Sequence, residues 1–138
     1  MGERSVAYFI PSTDGLRPVP EARSPWAADM LHGRLLAGLA ARAVEGAGHD
    51  PELRIVRLTV DMFRSPPMSA LHVATSVVRD GRRVRVVDVS IRSADVEVAR
   101  ASALLFRTGP HPGGSAQIER FWNLLDAESH AGITLTES

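Results

Sequence analysis

"LHGRLLAGLAARAVEG", residues 31–46, is the stretch on which the fold turns. Its apolar residues recur at helical spacing without an interior proline, which predicts an α-helix over 32–46. At about 100° per residue, Arg34, Arg42 and Glu45 fall within about 80° of one another, and the rest of the wheel is Leu, Ala, Gly or Val. A helix apolar on nearly all sides is enclosed by other structure rather than laid on a surface. The small residues Ala37, Gly38, Ala40, Ala41 and Ala43 suit the close approach of a sheet. Gly38 lowers helix propensity, so its missing side chain is expected to serve that approach. "GAGHDPE" (46–52) ends the helix with Gly and Pro.

Strand signals flank this helix. "VAYFI" (6–10) reads as a short strand, and prolines at 11, 18, 20 and 25 make 11–25 mostly loop. Within that loop "TDGL" (13–16) is a turn that can fold two short strands together. "RIVRLTVDMF" (54–63) alternates, with Val56, Leu58, Val60 and Met62 on one face and Arg57, Thr59 and Asp61 on the other. "RSPPMS" breaks it. "LHVATSVVRDGRRVRVVDVSI" (71–91) is a pair of strands about Asp80-Gly81, the strongest short hairpin signal. "VEVARASALLF" (96–106) follows through "RSAD", with Ala99, Ala101 and Ala103 on one face. The expectation is one buried helix followed by a meander of four antiparallel strands.

After Arg107 the character changes. "TGPHPGGS" (108–115) has the composition of a linker, "AQIERFWNLLDAES" carries Ile118, Phe121, Trp122 and Leu125 at helical spacing, and "GITLTES" begins like a strand. The expected division is therefore a domain over 1–107, then a linker and short amphipathic helix over 108–138.

Composition narrows the function classes. A chain of 138 residues suits one compact domain or half of a larger protein. Its 16 basic residues, all Arg, balance 16 acidic ones, which argues against bulk nucleic-acid binding. The one basic cluster, "GRRVR" (81–85), sits on the hairpin. The absence of cysteine removes disulfides and thiolate metal sites and fits a reducing cytoplasm. The N-terminus has only a short apolar run, unlike a signal peptide, and no window reaches the roughly 18 apolar residues of a membrane span. His72, His111 and His130 lack metal-ligand spacing, and His49-Asp50 falls in a helix-ending loop. No phosphate-binding glycine loop and no GxSxG elbow occurs. No metal and no cofactor is expected.

The order of elements, with Trp26, His32-Gly33, "LLAGLAARA" (35–43), "RLTVDMFRSPP" (57–67), "VVRDGRRVRVVDVSI" (77–91) and "VARASALLFR" (98–107), resembles the N-terminal half of the TesB-like, double-hotdog acyl-CoA thioesterases. The resemblance covers roughly residues 6–107. It implies an α+β hotdog fold: a curved antiparallel sheet wrapped around one central apolar helix. It also implies an acyl-CoA or other acyl thioester as ligand, bound at a subunit interface, and thioester hydrolysis as the activity. Such proteins carry a second hotdog after a linker. Either that domain follows this chain or a lone hotdog dimerises through its sheet edge.

Thioester hydrolysis needs a donor for the developing oxyanion and a base or nucleophile for the attack. The resemblance implies that Gly33, at the mouth of the helix, is the oxyanion donor, with His32 a polar wall and Trp26 beside it. The plainer reading is that His-Gly caps and packs the helix. Many single-hotdog thioesterases place Asp or Glu nine residues after this His, where this chain has Ala41; the first acid on the helix is Glu45. In the double-hotdog group the catalytic acid lies in the second domain. Asp29, three residues before His32, is the remaining local candidate to orient that imidazole or activate water, and otherwise a cap or surface acid. Asp61 is expected to pair with an Arg on a neighbouring strand or to line a pocket at a dimer interface. Three readings follow: an acyl-CoA thioesterase with Asp29 and His32 as catalytic residues, a non-catalytic acyl-binding or dimer-completing hotdog module, and a hotdog enoyl-CoA hydratase. The hydratase pairing of Asp and His has Asn-Pro before the His, where this chain has Met30-Leu31.

Overall fold

A computed structural model describes residues 7–47 and 50–110. The chain forms β1 (Phe9–Ser12), β2 (Gly15–Pro18), α1 (Arg34–Gly46), β3 (Leu53–Met62), β4 (Leu71–Asp80), β5 (Val84–Ser93) and β6 (Val96–Arg107). All six strands join one antiparallel sheet in the order β1-β2-β4-β5-β6-β3. The expected single helix against an antiparallel sheet is present. The expected linker, amphipathic helix and terminal strand of 111–138 lie outside the described residues, as do His49, His111 and His130.

Alternation decides which residues meet the helix. Val87, Val89 and Ile91 of β5 stand opposite Ala103, Ala101 and Ala99 of β6, and all six are buried. Leu36, Leu39, Ala40 and Val44 of α1 complete the same cluster. Burying a Leu or Val side chain contributes about 1.5–3 kcal/mol. The alanines of β6 keep that strand low, so the larger side chains of β5 and α1 share the space above it.

Three sequence expectations change. First, the four strands are not one meander. β4, β5 and β6 pair in order, but β3 pairs with β6 at the far edge. The cause is the Pro66-Pro67 segment. It cannot make a tight turn that returns β4 beside β3, and it crosses the start of α1 instead. There the Pro66 carbonyl accepts from the Leu31 N–H (2.8 Å) and the Met68 N–H donates to the Asp29 carbonyl (2.8 Å).

Second, Val56 does not share a face with Leu58. The register of β3 on β6 slips between Ile55 and Arg57, so Ile55 and Leu58 are the core-side residues and Val56 is the extra one, half exposed. A bulge adds one residue and reverses the parity of the strand that follows.

Third, Gly38 does not admit the sheet. It is exposed, and a β-carbon there would meet nothing within 4 Å. Within this chain the sheet covers one side of α1, leaving Arg34, Arg42 and Glu45 exposed and Leu35, Ala37 and Ala41 half-buried.

The N-terminal strands fall later than the sequence suggests, as a hairpin about Thr13-Asp14. Gly15 carries φ +117°, and a β-carbon on it would stand 2.6 Å from the Leu71 carbonyl oxygen. Only glycine allows that approach, which lets Leu16 pair with Leu71 and bring the hairpin onto the sheet.

Candidate functional site

Among the described residues, clefts open at several points around α1. One, about 450 Å³, runs between the β1–β2 hairpin and the helix. Another, about 460 Å³, lies at the C-terminal end of the helix beside Glu45 and Arg54. The third, about 380 Å³, lies at the helix mouth, where Gly33 is lined by Trp26, Met30, Met62, Phe63 and Pro66. Only the third joins an apolar wall to the positive end of the helix dipole, and its chemistry singles it out.

The backbone at that mouth is almost fully bonded. His32 N–H donates to the Ala22 carbonyl (2.9 Å), Leu35 N–H to the His32 carbonyl (2.9 Å) and Leu36 N–H to the Gly33 carbonyl (3.0 Å). Arg34 N–H donates to Nδ1 of the His32 ring (3.3 Å). Among the described residues, the Gly33 N–H is left with no acceptor. Of the amides from 32 to 36 it is the one with a hydrogen bond to give.

His32 thereby takes up the first amide of the helix on Nδ1. Its ring lies 5.2 Å from the Trp26 ring, tilted by 49°. Trp26 is 72% exposed, a large apolar surface at the rim. Asp29 is also exposed. Its carbonyl anchors Met68, while its carboxylate makes no hydrogen bond or ion pair among the described residues and does not line the cleft. The structure therefore brings Trp26, His32 and Gly33 together and leaves Asp29 outside. No carboxylate lines this cleft; Arg64 is its one charged residue among those described.

The other acids stand elsewhere. Glu45 follows Gly33 by 12 residues, about 18 Å along the helix. Asp61 is on the outer face of the sheet, opposite Arg100, whose guanidinium pairs with Glu97 (2.8 Å). Hydrogen bonds from Ser90 and Arg100 hold the Glu97 carboxyl below the usual range. Among the described residues no group of three or more His, Asp or Glu could hold a metal ion, and no helix is long and apolar enough to cross a membrane.

Sequence reading passed over Met62 and Phe63 as lining residues. Met62 is on the core side of β3, and a β-carbon on Gly33 would stand 3.2 Å from its sulfur. The signal was present in the Pro-Pro break directly after them, which carries the chain across the helix mouth.

Comparison with known proteins gives the same architecture. In solved structures the chain is similar to smu.793 from Streptococcus mutans bound to acetyl-CoA (TM-score 0.61, 18% identity, 81% of this chain and 96% of that one). It is similar to the BH2602 protein from Bacillus halodurans with CoA (0.56, 22%, 66% and 67%). It is also similar to the E. coli PaaI protein from the phenylacetic acid degradation operon (0.58, 22%, 68% and 70%). At these identities the likeness is one of fold alone, the hotdog fold. No curated protein matches the chain. The model of the acyl-CoA thioesterase N-terminal domain matches residues 22–106, from the segment before the helix mouth to the end of β6. With that match spanning more than half its length, the chain belongs to the acyl-CoA thioesterase N-terminal domain family.

Proposed function

We propose that this chain binds the thioester of an acyl-CoA at the mouth of α1, with the carbonyl oxygen accepting the hydrogen bond of the Gly33 N–H. The observation that carries this reading is that amide, left without an acceptor among the described residues, at the positive end of a helix and in a residue that lines an apolar cleft. Met30, Met62 and Phe63 receive the apolar part of the ligand next to the thioester. As water attacks the carbonyl carbon, negative charge grows on the oxygen held by Gly33, and the donor and dipole stabilise it more than the ground state. Collapse breaks the C–S bond and releases CoA as its thiol.

Hydrolysis also needs a base, and among the described residues no carboxylate lines the cleft. The reading is therefore of a TesB-like half-site, completed by a carboxylate from a second subunit or hotdog domain. Homodimerisation through the sheet edge is part of it, as is a reducing, cytoplasmic setting consistent with the lack of cysteine. The bare lining of the cleft also supports a second reading, a non-catalytic acyl-binding module.

Calorimetric titration with CoA, acetyl-CoA and octanoyl-CoA, together with thiol release followed by Ellman's reagent, tests both. A chain without cysteine gives no background in the second assay. Binding with thiol release supports the thioesterase, binding without release supports the module, and no binding of any of the three overturns the site.

A further inference from the structure

We infer that the cleft between the β1–β2 hairpin and α1 is a second ligand site, built for a medium-chain fatty carboxylate, with the Arg42 guanidinium on the head and Gly38 giving the tail room on the helix. This cleft shares no lining residue with the one at the helix mouth, so the inference does not depend on where a thioester binds.

Gly38 is the observation that opens it. Glycine lowers helix propensity, and in a helix interior it commonly serves a close approach to the backbone. The sheet makes no such approach, since a β-carbon at position 38 would meet nothing within 4 Å. Gly38 instead lines a cleft of about 450 Å³. Small-molecule sites span about 300–1,000 Å³. The glycine forms a bare floor about one turn after Leu35 and one turn before Arg42, which also line the cleft.

The walls are apolar and fixed. Phe9 and Leu16 come from the hairpin, and Leu35 and Leu39 from the helix. All four pack on the core cluster. The hairpin is held to the sheet by the Leu16–Leu71 pairing, and its first residues by the Val19 N–H, which donates to the Tyr8 carbonyl (3.0 Å). A groove already shaped by helix and sheet binds a flexible tail without ordering protein segments first.

Charge sits at one end. Among the described residues no acid lines this cleft, and Arg42 is its one charged residue. Arg42 is exposed and makes no hydrogen bond or ion pair among the described residues. Glu45, the next acid along the helix, lines a different cleft. A guanidinium takes a carboxylate through two parallel N–H bonds and matches its single charge. A phosphate monoester near pH 7 carries about 1.5–2 charges and would exceed what one arginine balances. From Arg42 back to Leu35 is seven residues, about 10.5 Å along the helix. A tail laid from Arg42 across Gly38 to Leu35 is therefore of medium length.

The test is calorimetric titration of the full chain at pH 7 with sodium hexanoate and sodium octanoate, and with octan-1-ol as the uncharged counterpart. The expected result is saturable binding of a single octanoate per chain, tighter than hexanoate because more apolar surface is buried. Octan-1-ol should bind about tenfold more weakly than octanoate, because it offers the guanidinium no charge. R42Q should weaken octanoate by about the same factor and leave octan-1-ol unchanged. G38L should remove binding of both, because its side chain fills the floor of the groove. G33A, at the helix mouth, should leave octanoate affinity as in wild type. Arg42 and Gly38 are exposed, and thermal unfolding of each variant checks that the fold is kept. Absence of saturable octanoate binding overturns the inference, and so does an affinity that R42Q and G38L leave unchanged. Octanoate binding weakened by G33A and spared by R42Q belongs to the helix mouth and overturns this second site alone.

Discussion

The sulfur of Met62 lies across Gly33, 3.2 Å from where a β-carbon on that glycine would stand. The edge strand thus reaches over the helix mouth. On the proposed reading, a ligand reaching the Gly33 amide passes beside a flexible thioether, which adapts to what enters.

Gly33→Ala separates binding from folding. The backbone at Gly33 is right-handed (φ −54°, ψ −33°), which alanine adopts freely, and Met62 needs to give by only a few tenths of an ångström. Stability should hold or rise by up to about 1 kcal/mol, because alanine restricts the unfolded chain. Acyl-CoA affinity should fall about tenfold, because the added methyl group stands where the carbonyl approaches. Thermal unfolding and calorimetric titration of the same preparation check both. Unchanged affinity would place the thioester elsewhere.

The clasp closing the other end of the helix should make stability sensitive to acid. Asp50 accepts from the Glu52 N–H (3.0 Å) and from the Arg107 guanidinium (2.7 Å), and these two bonds, the backbone one first, hold its carboxyl below the usual aspartate range. A carboxyl lowered in the folded state stabilises the fold fully above its unfolded value, near pH 4, and less as pH falls through the folded value. Arg107→Gln should be less stable than wild type at pH 7. It should also lose less than wild type between pH 4 and acid, because only the Glu52 bond remains. Urea midpoints at pH 7, 5, 4 and 3 measure this; parallel curves would remove the clasp from the account.

The small residues of helix and sheet should respond oppositely to enlargement. Gly38→Ala fills open space on an exposed helical face and should stabilise by about 0.5–1 kcal/mol. Ala101→Leu forces a large side chain between Val89 and the helix at a position that is 1% exposed, and should cost about 1–3 kcal/mol. Chemical denaturation of the two variants beside wild type decides it.

Local signals are legible where chemistry is local. The helix of 34–46, the Asp80-Gly81 hairpin, the bend at 93–96 and the run of β6 all follow from periodicity and turn residues, because each concerns neighbours in the chain. The site was legible in part for the same reason. His32-Gly33 precedes the helix in sequence, so it sits at its mouth, and Trp26 is close enough along the chain to reach it. The faces of Leu58, Val60 and Met62 against Arg57, Thr59 and Asp61 follow from alternation, but Val56 was not legible in this way, because sequence alternation alone carries no mark of a bulge.

Pattern and composition alone therefore settle the inventory: one apolar helix, several antiparallel strands, and a glycine at the positive end of the helix. Folding in space adds the arrangement. It moves β3 to the far edge beside β6, since two prolines cross the helix mouth there, and among the described residues it leaves the amide of residue 33 without an acceptor while its neighbours find theirs. Pairing partners and leftover donors depend on distances between segments remote in sequence, and a linear pattern does not encode those distances.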